Sequence, residues 1–306
     1  MLPSHHLVLV HDGNVSNRNQ ARALGLNMDL HYSSVREINL QQEHNPQNAI
    51  ATTSTSLIIG CGHKASRFVC QFTSPNHPRV KTVQILHPRF PLQSSTSKFD
   101  CLVIPQHDEE HHWFEFALDP NKVVKMNGSL GWNLDYFSLL RYRLRARGKL
   151  QDVGKKTLVV LMGGSLLHPE LWRELESAHN QVNVEFVTSR RSKQIPNRAN
   201  NLDYREALAV GDYFAVDADS ISMVADVLSV MSERNLPPPV SLFSLPLVAK
   251  HSKFLQERQR ENPTLFERCS SLRDIIARPR GSQPIHFPNE AQRVGALVKQ
   301  VLKLAL

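Results

Sequence analysis

The residues with chemical potential in this sequence gather at one kind of place, directly after short apolar runs. His11, Asp12, Gly13 and Asn14 follow HLVLV at 6–10, and Gly62, His63 and Lys64 follow SLIIG at 56–60. His87 and Arg89 come after VKTVQIL, and His107 and Asp108 after FDCLVIP. Further along, Gly163, Gly164 and Ser165 follow TLVVLM, while Ser189, Arg190 and Arg191 follow the run ending at Thr188. Ser220 and Ser222 come after GDYFAV, with Asp217 and Asp219 between. Glycine lets backbone N–H groups approach a phosphate, and the amino end of a following helix favours negative charge. Two adjacent arginines can grip a diphosphate through paired hydrogen bonds. A histidine beside an aspartate offers a general base. One such turn is ordinary strand-to-helix chemistry. Its repetition points to a phosphate-bearing ligand in a cleft between two domains.

Those turns are useful only if the apolar runs are strands. The runs are continuous rather than alternating, as strands covered on both faces are. Stretches of helical spacing separate them: Ala21, Leu24 and Gly25 after the first, Leu171, Leu175 and Ala178 within 168–180, and Val224, Val227 and Leu228 within 220–231. Pro169 sits in the first turn of the second of these, where proline is tolerated. Strand and helix in alternation define an α/β protein with parallel, Rossmann-like sheets. At roughly 100–200 residues per domain, 306 residues suggest two. The stretch RYRLRARGKLQDVGKK at 141–156 is basic and polar and reads as the approach to a linker, after which TLVVLM restarts the pattern. We expect a first domain over 1–153, a second over 154–288 and an amphipathic helix over 289–306. That helix has Val294, Leu297, Val298, Val301 and Leu302 on one side. The side suits docking onto the protein body, although Arg293, Lys299 and Lys303 would also suit a membrane surface.

Composition narrows the classes further. Hydrophobic residues form 41% of the chain and charged residues 21%, ordinary for a globular protein. No run approaches the roughly 18–20 apolar residues of a membrane span, and the opening residues lack the apolar core of a secretory signal. A cytoplasmic protein, peripheral to the inner face of a membrane at most, is expected. The four cysteines, Cys61, Cys70, Cys101 and Cys269, form no C-x-x-C pair and read as reduced residues near the cores. The net charge of +8 suits an anionic partner. Aromatic residues are only 7%, which disfavours nucleic acid as that partner. Gly60-Cys61-Gly62 is followed by Ala65 where a dinucleotide fingerprint needs glycine. There is no P-loop and no G-x-S-x-G elbow. His107, His111 and His112 read as a loop rather than a metal site, so no metal is expected.

Taken in order, HDGNVSNRNQARALGL, IIGCGHKAS, VQILHPRFP, FDCLVIPQHDE, LVVLMGGS, FVTSRRS and DYFAVDADSISMVADV resemble the "elongated mitochondria" mitochondrial-fission family, over about residues 7 to 255. The resemblance implies a GT-B-like arrangement of two Rossmann-like domains facing a cleft, with the terminal helix often crossing back to the first. It further implies a glycosyltransferase that moves a sugar from a nucleotide sugar to an anionic or glycolipid acceptor of the cell envelope, such as lipopolysaccharide core. The nucleotide sugar is then a substrate and no cofactor is needed, because helix amino ends and Arg190 or Arg191 can stabilise the leaving diphosphate. By the same resemblance Gly163, Gly164 and Ser165 meet the diphosphate, with Ser220 and Ser222 beside them, and Asp226 bonds the ribose. Asp226 stands where the family usually has glutamate, and His87 where it has an acidic residue. His11 and Asp12 are the leading catalytic candidates. Gly13, Asn14, Gly62, His63, Lys64, His87, Arg89, His107 and Asp108 would line the acceptor side. The alternative is a non-catalytic protein that docks partners at a membrane surface, a role implied by plant relatives.

Overall fold

Strands buried on both faces carry the fold, and they build two all-parallel sheets. The computed structural model describes residues 5–43, 56–73, 77–86, 98–108, 119–131, 136–150, 152–189, 192, 202–277, 284, 287 and 289–304. The first sheet has six strands: β1 His5–His11, β2 Tyr32–Asn39, β3 Ser56–Cys61, β4 Val80–Ile85, β5 Cys101–Pro105 and β6 Val123–Met126, in the order β2-β1-β3-β4-β5-β6. The second has five: β7 Thr157–Met162, β8 Asn183–Thr188, β9 Tyr213–Val216, β10 Val240–Leu242 and β11 Phe266–Arg268, in the order β11-β10-β9-β7-β8.

Alternation along β1 shows why its sequence is apolar throughout. Leu7 and Leu9 join one core with Leu24, Val83 and Met126, while Val8 and Val10 join another with Phe68, Phe72 and Phe99. Both faces are covered, by α1 Val15–Leu26 and α2 His63–Val69 among others. In the second sheet Leu158, Val160 and Met162 pack with Leu171 and Leu175 of α4 Pro169–Ser177.

The chain divides into one unit of Met1–Trp132 with Asn289–Leu306, and a second of Asn133–Pro288. The division falls earlier than the 153/154 boundary that the basic stretch suggested. The reason is α3, Tyr136–Arg147. This helix packs on α5, Tyr204–Val210, of the second unit. Arg205 donates to the Tyr142 hydroxyl, and Lys149 just beyond the helix meets Glu206 at 2.6 Å. The terminal helix α9, Glu290–Val301, returns to the first unit. Ala291, Val294, Val298 and Leu302 join the core that contains Leu7 and Leu24. Two of its cations are also engaged there. Arg293 donates to Lys125 O at 2.8 Å and Lys299 to Asp29 O at 3.0 Å. Gly295 permits the close approach, since a Cβ there would lie 2.5 Å from Asn27 O.

The remaining helices are α6 Ile221–Glu233, α7 Ala249–Glu261 and α8 Leu272–Ile276. Among the described residues, no helix is long and apolar enough to cross a membrane. Cys61, Cys101 and Cys269 are buried and unpaired by disulfides. Burial first, with a nearby carboxylate second, pushes the Cys101 and Cys269 thiols up to about 12.

Candidate functional site

Open parallel sheets bind ligands beyond the carboxyl ends of their strands, where the strand order reverses. In the first unit the order reverses between β1 and β3, and in the second between β7 and β9. Several of the sequence candidates stand at these two points.

At the first point, Asp12 Oδ1 accepts the Asn14 N–H at 3.1 Å and the Asn17 side-chain amide at 3.0 Å. The Cys61 thiol donates to Asn17 Oδ1 at 3.7 Å. Gly62 closes the arrangement with φ +92°, a conformation that side chains resist. A Cβ on it would overlap the Asn17 amide and lie 3.2 Å from Asp12 Oδ2. Asn14 caps α1 by accepting from Ser16 N at 2.9 Å. His11 is buried, and its ring is held on both sides. The Gly13 N–H donates to Nδ1 at 3.1 Å, which leaves the proton on Nε2 to meet Glu37 Oε1 at 3.1 Å. Glu37 also receives Arg18 at 2.6 Å and Arg22 at 2.5 Å. Burial alone would raise the Glu37 carboxyl. The hydrogen bond and charge of Arg22, the charge of Arg18 and the His11 bond outweigh it and hold the group below the usual range. His11, Arg18, Glu37, Asn39, Gln42 and Glu43 line an open polar pocket of ≈ 500 Å³. His63 and Lys64 open α2, Lys64 exposed. His107 is buried in the turn after β5, three strands across from β1, and Asp108 ends that turn. His87 and Arg89 lie outside the described residues.

At the second point, the loop that was expected to cradle a phosphate already cradles a carboxylate. Asp217 is fully buried. Its Oδ2 accepts the Ser165 N–H at 2.9 Å, and its Oδ1 accepts the Asp219 N–H at 3.0 Å and the Ser244 hydroxyl at 2.6 Å. A Cβ at Gly163 would overlap Asp217 Oδ2. Ser189 donates its hydroxyl to Gly163 O at 3.0 Å. Burial favours the neutral Asp217 acid, but these donors prevail and hold its pKa below the usual carboxylate range. Asp217 thus takes the Ser165 N–H that the resemblance would give to a diphosphate.

Asp226, to which the resemblance gives the ribose contact, is engaged inside the second unit. Its carboxylate is buried, 4% exposed, and accepts the Tyr204 hydroxyl of α5 at 2.6 Å. Burial, then the Asp226 charge and hydrogen bond, raise the Tyr204 hydroxyl well above its ordinary pKa. Asp226 fastens α5 to α6. Arg190 and Arg191 lie outside the described residues.

The amino end of α6 is left open. Ser220 occupies its cap position without a side-chain cap bond, and the first turn has no acidic residue. Asp219, just before it, accepts the Leu247 N–H at 3.0 Å and meets His251 Nδ1 at 2.8 Å. With Nδ1 held, His251 keeps Nε2 for another partner. His251 was missed in the sequence, where 250–260 reads only as basic and polar. Its sole signal was a place in the first turn of a helix after a strand. Glu37 gave no signal at all.

Two Rossmann-like parallel sheets in one chain, each with its polar strand ends at a reversal of strand order, define a GT-B-like, glycosyltransferase-like fold. Among solved structures, a variant of the wall teichoic acid polymerase TagF soaked with CDPG aligns at a TM-score of 0.50 and 12% identity, over 97% of this chain and 88% of that one. The wall teichoic acid polymerase TagF itself gives 0.49 and 12%, over 97% and 88%. The glycosyltransferase SnogD from Streptomyces nogalater gives 0.41 and 11%, over 98% and 95%. At this identity the first of these alignments speaks to fold alone. A comparison with curated proteins found no match. Residues 11–194 match the family described as mitochondrial fission ELM1, and the chain belongs to that family.

Proposed function

We propose that this protein is a glycosyltransferase that binds a nucleotide sugar through its second unit and transfers the sugar to a cell-envelope glycan or lipopolysaccharide core. The observation that carries the reading is the uncapped amino end of α6. The N–H groups of its first turn, at Ile221, Ser222 and Met223, have no acceptor among the described residues. They sit at the carboxyl edge of a parallel sheet, with Ser220, Ser222 and His251 beside them, and a diphosphate is the anion such an edge suits. His251 is then the proton donor to the leaving phosphate. In the first unit the polar pocket takes the acceptor. Asp12 serves as base through Oδ2, because both nitrogens of His11 are bonded and its ring instead fixes the turn. A peripheral contact with the inner face of the membrane accompanies an envelope acceptor.

The test is a thermal-shift screen with UDP, GDP, CMP, ADP and their sugars. Ligand at 100 times Kd should add about 2.7 kcal/mol of stability. Ser222→Asp separates binding from folding. A carboxylate in the first turn favours the helix by about 0.3–1 kcal/mol, yet repels a diphosphate. Loss of the nucleotide shift without loss of melting temperature is expected. A folded protein that no nucleotide shifts would put the non-catalytic docking role ahead of the transferase.

A further inference from the structure

α9 uses its apolar side inside the first unit, so any lipid-facing helix must be sought elsewhere. α3 presents what α9 does not. Leu139 and Ala146 are buried, while Phe137, Leu140 and Leu144 are 79%, 42% and 63% exposed. At 3.6 residues per turn, positions 137, 140 and 144 share the outward face. Arg141 and Arg145 border that face on one side and Arg147 on the other, and all three are exposed. The stretch 136–150 holds five basic residues, Arg141, Arg143, Arg145, Arg147 and Lys149, and no acidic one. Among the described residues Arg141 and Arg147 make no ion pair, while Lys149 is engaged with Glu206.

We propose that the outward face of α3 lies in the headgroup layer of an anionic lipid bilayer, with Phe137, Leu140 and Leu144 entering the acyl boundary and the arginines meeting lipid phosphates. The pattern favours lipid over nucleic acid, because the centre of the face is aliphatic as well as aromatic and two leucines give bases nothing to stack on. It favours lipid over a second copy of the chain, because two such faces would set arginine against arginine. Nucleotide binding is not required for this contact, so the lipid and nucleotide readings stand or fall separately.

The experiment is co-sedimentation of the full chain with vesicles of phosphatidylcholine alone or with added phosphatidylglycerol. Binding is expected only with the anionic vesicles and should weaken as salt rises. Each arginine replaced, in Arg141→Ala or Arg145→Ala, should weaken it about fivefold. Leu140→Ser with Leu144→Ser should weaken it more than about tenfold, while circular dichroism and melting stay as in the parent because both side chains are exposed. Equal partition of parent and double variant overturns the proposal. So does a concentration-dependent dimer that the double variant abolishes, or a preference for RNA over anionic vesicles.

Discussion

Asp217 is fully buried, and no cation among the described residues pairs with it. Hydrogen bonds keep it charged, so its stability contribution depends on pH. Its native pKa is depressed, so the unfolded chain binds more protons in acid and stability falls as pH falls. The contribution is complete above the ordinary carboxylate value of about 3.9 and disappears as pH drops through the native value. Asp217→Asn should cost about 1–3 kcal/mol at pH 7 and flatten the acid limb of a melting-temperature profile. An unchanged limb would mean that Asp217 is not the group titrating. Tyr204→Phe tests the Asp226 assignment. Removing the hydroxyl donor from a buried carboxylate should cost about 1–3 kcal/mol with no change in nucleotide affinity. A selective loss of affinity would return Asp226 to the ribose. At this scale the sequence showed which residues stand at strand ends. It did not show which of them face outward, because the Ser165–Asp217 bond joins positions far apart in the chain.

Element boundaries were readable wherever burial is symmetrical. β1, β3 and β7 are apolar because both faces are covered, and each was recognisable within a residue or two. β2, YSSVREIN, was invisible: it is the edge strand of its sheet, and half of it is exposed, with only Ile38 buried. α3 was mistaken for the approach to a linker because its outward arginines outnumber the residues it buries. α9 reads correctly as a docked helix from its apolar side, but only the structure shows how tightly. Gly295→Ala would press a methyl group against the backbone of Asn27 and should cost about 1–3 kcal/mol. Amide exchange in β5 and β6, which contact α9, should rise in that variant while β7 and β8 keep their protection. Equal loosening in both sheets would refute the assignment of α9 to the first unit.

At the scale of the whole molecule, two sheets with separate cores were legible in the alternation of strands and helices. That the first unit takes in the terminal helix was expected only from the resemblance to the family, because α9 is joined to that unit only through space. Removing 289–306 should therefore damage the first unit, although its strands are untouched. The truncated chain should lose the exchange protection of β1 and β3 while retaining that of β7 and β9.

The second unit is thus an insertion, closed off on either side by parts of the first. A ribosome delivers the six strands of the first sheet early but withholds Ala291, Val294, Val298 and Leu302 until all five strands of the second sheet have been made. During synthesis the order of completion reverses the order of appearance. The later-made unit can finish folding as soon as it emerges. The earlier one waits with an apolar face uncovered, and chaperones have that interval in which to bind it.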